Sequence, residues 1–274
     1  MKMNNRLKIG ISILVIMFLG SFLLPFLNDV DPTKHGTYPK NLPFSQEHLL
    51  GTNSLGQDIS WWLVYAVRNS LMLGIAVSLF TITLAGGIGL LAGYIGGATD
   101  RVIMTLTDTI IAIPVFPILI VLASLVRGQT SFLLVGGILI FFGWAWGARR
   151  IRSMALSLRE REFINVARFS GASTFKIVSK EVFPYVYAFM IVDFINAILW
   201  VINTEAALAV IGLSNIEIPT LGSIVYWALS YNALFTGQYT WIVAPVTATV
   251  ILFLGLFLTS TGYNQMYSTR RGHA

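Results

Sequence analysis

Six stretches of this chain are apolar, almost uncharged and long enough to cross a bilayer, and that pattern decides most of what the chain can fold into. Ile9–Leu27, Leu71–Ile95, Phe132–Ala148 and Trp241–Leu258 carry no charge, Val102–Val126 carries only Asp108, and Val186–Ile211 carries Asp193 and Glu205. A helix spans the hydrocarbon core with about 20 such residues. Lipid offers open backbone groups no partner, so each stretch is expected to be helical. Of the 274 residues, 55% are hydrophobic and 11% charged, against roughly 25% charged in a soluble domain. The expected fold class is therefore all-α, a polytopic membrane protein with six transmembrane helices, and a soluble enzyme is disfavoured.

The first stretch follows Lys2, Arg6 and Lys8, as a signal peptide would. Its 19 uncharged residues are long for a signal core, and Pro25-Phe26-Leu27-Asn28 offers no small-x-small cleavage site, so a retained anchor is expected.

Lys and Arg in short loops set orientation. With both termini cytoplasmic, the inner segments hold Lys2, Arg6, Lys8, Arg101, Arg149, Arg150, Arg152, Arg159, Arg161, Arg168, Lys176, Lys180, Arg270 and Arg271, while the outer ones hold only Lys34, Lys40, Arg68 and Arg127. The net charge of +6 is thus a topology signal, and nucleic acid is excluded as a partner. The expected organisation is a cytoplasmic N-terminus and first span (1–27), an extracytoplasmic loop and lead-in (28–70), a five-helix core (71–263) and a cytoplasmic tail (264–274). A long inner loop, 149–185, interrupts the core.

Several chemistries are absent. There is no cysteine, and His35, His48 and His273 are far apart, so no thiolate site or close metal-ligand pair is expected. No histidine lies in a span, which argues against an intramembrane hydrolase. No G-x-x-x-x-G-K-S/T loop occurs, so the chain is not expected to bind ATP in that way. His48 and Asp58 are expected to order the outer loop rather than bind metal. A conduit or a scaffold remains. Gly89, Gly93 and Gly97, and likewise Gly143 and Gly147, recur every fourth residue, a spacing that lets helix backbones approach closely. Packing within the chain and contact with a second membrane subunit are both open readings.

The inner loop is too polar to enter lipid and too patterned for a plain linker. Phe163, Val166, Ala167 and Ser170 fall at helical spacing beside Arg161, Glu162, Asn165 and Arg168. Gly171 permits a turn, Ser173 can cap a second short helix carrying Phe175, Val178 and Val182, and Pro184 marks entry to the fifth span. Two such amphipathic helices suit a membrane surface or another protein's groove.

These residues carry a resemblance. Glu162 to Ser173, with Ala167 and Gly171 in place, resembles the E-A-A-x-x-x-G loop of ATP-binding-cassette importer permeases, and Phe183-Pro184 matches its hydrophobic-Pro pair. Asn165 and Val166 stand where that pattern has Glu and Ala. His48-Leu49-Leu50-Gly51-Thr52-Asn53-Ser54-Leu55-Gly56-Gln57-Asp58 is similar to the H-x-L-G-T-D-x-x-G-R-D signature of the dipeptide, oligopeptide and nickel branch, with Asn53 and Gln57 replacing the acid and the Arg. Arg68-Asn69-Ser70-Leu71, Asp100-Arg101 with Asp108 and Pro114, and the run from Glu205 to Leu213 continue the match. Leu221-Gly222-Ser223 sits where the family has a Trp-Gly pair, without the Trp.

The resemblance, to the C-type permease of the pair, covers nearly the whole chain from His48 onward. It implies a type I importer permease fold in a bacterial or archaeal cell membrane and a transport subunit, not an enzyme. It also implies a second related permease chain, two ATPase subunits that carry ATP and Mg, and an extracytoplasmic substrate-binding protein. The inner loop would couple to the ATPases, through Arg161, Glu162, Asn165, Val166, Ala167, Arg168, Gly171, Ser173, Phe175 and Pro184. Cargo would be a peptide, nickel or another metal chelate.

Charges inside spans are costly and mark candidate sites. At 100° per residue, Asn196, Trp200 and Asn203 fall within about 80° of Asp193 on one helix side. This stripe suits the translocation path or hydrogen bonding between helices. Glu205 points elsewhere, near the outer end, and Asp108 lies six residues into the third span, where it can pair with an Arg such as Arg101. Both are candidates for a gate or for structural pairing. An ion-coupled secondary transporter, with Asp108, Asp193 and Glu205 as coupling groups, is the competing function, and a membrane scaffold is the third.

Overall fold

The computed structural model describes residues 4–27, 31–125 and 131–271. Lys2, Arg127 and His273, used in the charge and histidine readings above, lie outside these. The described residues form α1 (Asn5–Leu23, continued by a tighter turn over Leu24–Leu27), α2 (Ile59–Ile95), α3 (Gly97–Ala112), α4 (Val115–Leu125) and α5 (Phe132–Arg159). Then follow α6 (Glu162–Phe169), α7 (Thr174–Ile177), α8 (Phe183–Val210), α9 (Leu221–Ser230) and α10 (Tyr239–Arg271). Among the described residues β-structure is limited to a bridge between Thr52 and Asp58.

Five helical segments are long and apolar enough to cross a membrane, and α3 and α4, bent at a short break, are long and apolar enough only when taken together. The expected span Val102–Val126 is thus not one straight helix. It bends by 73°, because Ile113, which precedes Pro114, is extended (φ −71°, ψ 125°). The proline ring disfavours the helical region for the residue before it.

Helix ends differ from the apolar stretches for identifiable reasons. α2 starts at Ile59 rather than Leu71, because Asp58 caps it by accepting from the amides of Ser60 (2.8 Å) and Trp61 (3.2 Å). Polar Arg68, Asn69 and Ser70 masked that continuity. α5 runs on past Ala148 to Arg159, and α10 past Leu258 to Arg271, so the first turns of the expected inner loop and part of the expected tail are helical. Between α7 and α8, Val178–Val182 forms a wider π turn in which the Phe183 amide donates to the Val178 carbonyl. Pro184 follows at once, and the wider turn accommodates its ring and its missing N–H.

Glycines set the central packing. A Cβ at Gly89 would lie 2.6 Å from the Ala148 carbonyl oxygen, and one at Gly93 equally close to that of Arg152. Gly143 abuts Thr81 and Trp200, and Gly147 abuts Ala85 and Asp193. These four glycines therefore serve contacts within the chain, between α2, α5 and α8. Gly97 has open space instead. α1 lies along α10, where Gly10 meets Thr259 and Gly262 meets Leu7.

One core cluster, around Trp62, Ile198, Ile224, Trp241 and Leu252, joins α2, α8, α9 and α10. A second, around Ala85, Ala148, Ile151, Ile164, Ile177 and Val186, joins α2, α5 and α8 to the short helices. Outward-facing Ile16, Leu79 and Val250 are exposed, as a lipid-facing surface requires. We call the end where α5 finishes and α8 begins the basic end, after its arginines.

Candidate functional site

At the basic end α6 and α7 hang between α5 and α8. α6 closes on Gly171, which has φ +77°. The Gly171 amide donates to the Arg168 carbonyl (3.0 Å) and the Ala172 amide to the Ala167 carbonyl (3.1 Å). Both lost helix carbonyls are thus satisfied by a left-handed residue, the conformation glycine adopts without a Cβ penalty. Ser173 then starts α7 by accepting from the Lys176 amide.

The side chains of the pair divide into two sets. Ile164 and Ile177 are buried against the core, with Phe163, Ala167 and Val178 partly so. Val166, Phe169 and Phe175 are 64%, 90% and 82% exposed. The stripe expected from spacing is therefore corrected: Val166 points away from the face that anchors α6, and Ile164, outside that stripe, is the anchor. Phe169 was missed, since a lone aromatic at a helix end gives no periodic signal. Arg161, Glu162, Asn165, Arg168, Ser173 and Pro184 are exposed around it. An open pocket of about 980 Å³ lies behind, between Met154, Leu158, Phe163 and Tyr185.

Above this segment, three arginines of α5 each hold a carboxylate on a neighbouring helix. Arg152 grips Asp100 of α3 with two hydrogen bonds, at 2.5 and 2.6 Å. Arg149 pairs with Asp108 of α3 at 3.1 Å, both side chains half exposed. Arg150 pairs with Asp193 of α8 at 2.5 Å. The expected partner of Asp108, Arg101, is displaced, because the end of α5 packs beside α3 and brings Arg149 closer than a residue two turns away on the same helix. The arginines were read only as an orientation signal. The sign that could have found their role is the acids themselves: a carboxylate within a span calls for a cation.

The Arg150–Asp193 pair borders a cavity of about 350 Å³ between α2, α5 and α8, into which Asn196, Trp200, Thr81 and Trp146 also face. Asn196 accepts a hydrogen bond from Ser260 of α10 (3.0 Å). The stripe thus both joins helices and lines open space. Asn203 is the exception, exposed on α8 and outside the lining. Ten residues separate it from Asp193, a rise of about 15 Å that carries it past the cavity.

The opposite end is built differently. Glu205 is fully buried, and its Oε1 accepts from the hydroxyls of Ser214 (3.0 Å) and Thr220 (3.1 Å). Thr220 also caps α9 in a reciprocal pair with Ser223. Asn69 donates to the Pro219 carbonyl (2.8 Å), and Ser70 accepts from the Leu221 amide (3.1 Å). Two residues of α2 thereby hold the segment that Glu205 holds from α8, a function invisible in their spacing.

In the loop before α2, His48 Nδ1 lies 2.7 Å from Asp58 Oδ2. Asn53 and Gln57 join through their amides at 2.9 Å. The Thr33 side-chain and backbone hydrogen bonds hold the Asp31 carboxyl below the usual carboxylate range. Among the described residues, no three His, Asp or Glu side chains group as metal ligands.

Comparison with known proteins agrees with this architecture. Residues 85–272 match the family model described as binding-protein-dependent transport system inner membrane component. The chain is 28% identical over 266 residues to the oligopeptide transport system permease protein OppC of Mycobacterium tuberculosis (strain ATCC 25618 / H37Rv), covering 95% of this chain and 89% of that protein. It is 28% identical over 247 residues to the dipeptide transport system permease protein DppC of Bacillus subtilis (strain 168), covering 86% and 77%. Its fold is similar to a chain of the inward-facing MetNI methionine ABC transporter, with TM-score 0.57, 18% identity, and coverage of 74% of this chain and 97% of that one. The chain therefore belongs to the binding-protein-dependent transport system inner membrane components, as a C-type, multi-pass permease subunit of an ATP-binding-cassette importer and not an enzyme.

Proposed function

We propose that this chain is one of two related permease halves in an importer of peptides, and that ATP, with Mg, is bound and hydrolysed by two separate ATPase subunits. An extracytoplasmic binding protein delivers the cargo. The peptide assignment rests on the relatives, which are named for oligopeptide and dipeptide transport. In this reading the basic end and both termini are cytoplasmic, and 31–58 faces outward.

The observation that carries the proposal is the α6–α7 pair. Its apolar residues Val166, Phe169 and Phe175 are exposed on a segment studded with Arg161, Arg168 and Lys176. A helical face of that kind seats in a complementary protein groove. Ile164 and Ile177, buried beneath, tie any movement of the segment to α5 and α8. The Arg149, Arg150 and Arg152 pairs extend that tie to α3 and to the cavity.

The test is reconstitution with the partner permease, the two ATPases and the binding protein, followed by uptake of labelled peptides and of nickel. ATP-dependent peptide uptake is expected, with no ATP hydrolysis by the purified chain alone. Uptake of nickel or its chelates instead of peptides would overturn the cargo. Sustained hydrolysis by this chain, free of contaminating ATPase, would overturn the division of labour.

A further inference from the structure

The cavity beside the Arg150–Asp193 pair, to which the coupling tie runs, also has the chemistry of a recognition site. The Arg150 side chain is 48% exposed and among the described residues makes one hydrogen bond, Nη2 to Asp193 Oδ1, whereas the Asp193 side chain is 8% exposed. A guanidinium has five N–H donors in a fixed fork. Most of that fork is therefore left for the open side. Asn196 has its carbonyl oxygen on Ser260, which leaves its NH₂ group to donate. Trp146 and Trp200 supply aromatic walls. Gly147 keeps the carboxylate in place: a Cβ there would come within 3.1 Å of Asp193 Oδ2.

We propose that this cavity is a transient subsite for the C-terminal carboxylate of a peptide in transit, held by the remaining donors of Arg150 and readily let go because Asp193 already matches that guanidinium's charge. The proposal rests on the peptide reading above and goes beyond it by naming the group recognised and the residue that recognises it. Arginine matches a carboxylate in two parallel hydrogen bonds, the geometry a chain terminus offers and a C-terminal amide does not. A cavity of about 350 Å³ is at the small end of ligand sites, suited to the end of a short peptide. The aromatic walls accept varied side chains without reading them.

Asp193 explains why such a site would not trap its cargo. An unpaired arginine at this depth would bind a carboxylate tightly and stop transport. An arginine whose charge Asp193 already matches holds a second carboxylate only weakly through its remaining donors, so entry and release stay nearly balanced, as conduction requires.

The test uses the assembled complex of both permeases and both ATPases without the binding protein. A fluorescent tripeptide is titrated in two forms, with a free C-terminal carboxylate and as the C-terminal amide. The parent should bind the free form at least about tenfold more tightly, the scale of a charge-assisted hydrogen-bond pair. Arg150→Gln should abolish the difference. Asp193→Asn should strengthen binding of the free form several-fold by removing the competitor, a gain that a merely structural ion pair would not produce. Equal binding of the two peptides by the parent, binding of neither, or a preference that survives Arg150→Gln would overturn the subsite. Peptide uptake by the same complex with its binding protein separates the two failures. Uptake without carboxylate preference removes the subsite alone, whereas no peptide uptake removes the cargo reading as well.

Discussion

The two ends of the bundle solve the same problem, polar groups at membrane depth, in opposite ways. At the basic end, carboxylates on α3 and α8 meet arginines of α5, and two of the three pairs leave an arginine about half exposed. At the other end Glu205 has no cation partner among the described residues; it accepts from two hydroxyls in a fully buried site, and one amide and one hydroxyl of α2 fasten the same segment. Partly exposed ion pairs are individually weak and exchangeable. Buried hydrogen bonds are costly to leave unmade. The first construction suits an end that docks partners and shifts, the second an end that stays shut.

The contrast extends to the glycines that close helices. Gly171 ends α6 with φ +77°, and among the described residues nothing beyond its own chain neighbours lies within 4 Å of where a Cβ would stand. Gly212 ends α8 with φ +75° in the same hydrogen-bonding pattern, with Leu213 donating to Leu208 and Gly212 to Ala209. There a Cβ would meet the Tyr226 ring at 3.0 Å. One turn is free on its outer side and the other is packed.

Substitutions can break this comparison. The largest loss of stability is expected for Glu205→Leu, which strands the Ser214 and Thr220 hydroxyls. Stranded buried donors cost about 1–3 kcal/mol each, so thermal unfolding of the purified complex should shift down clearly, and Glu205→Gln, which keeps one acceptor oxygen, should shift it much less. Next comes Arg152→Gln. It removes a two-bond grip on Asp100, whose side chain is 16% exposed, and hydrogen bonds to charged groups contribute about 1.5–3 kcal/mol. Membrane abundance should fall while Arg152→Lys recovers part of it. The smallest effect is expected for Arg149→Gln. Its pair with Asp108 is half exposed on both sides, where such pairs contribute about 0–1 kcal/mol, so thermal stability and abundance should stay near the parent. A larger loss for Arg149→Gln than for Glu205→Leu would reverse the comparison.

Much of the fold is legible in the sequence because lipid enforces a long uniform signal: the apolar stretches located the spans. What they could not give were the ends. Asp58 starts α2 before its apolar run, and α5 carries its helix on through Arg149, Arg150 and Arg152, where hydropathy reports only charge. Pro114 was visible, but its bend depends on the backbone of Ile113.

The site was legible unevenly for the same reason. Gly171 and Ser173 act locally, on neighbours within a turn, so spacing reveals their geometry. Asp193 with Arg150, and Glu205 with Ser214 and Thr220, are partners across the fold. Helical phase showed that Asp193, Asn196 and Trp200 share a side, yet it had no means of ending the stripe before Asn203.

The central claim is that α6–α7 converts partner ATPase movement into movement of the spans, and Gly171→Val addresses it most directly. A Cβ there meets open space within the chain, so the cost to the chain itself is backbone strain, about 1–3 kcal/mol for a residue held at positive φ. Substrate-stimulated ATP hydrolysis should be measured in reconstituted membranes, with complex assembly quantified in the same preparation. The account predicts that stimulation and uptake fall together, several-fold or more on this energy scale, while the spans still insert and membrane abundance stays near the parent. Full stimulation in a normally assembled Gly171→Val complex would contradict it.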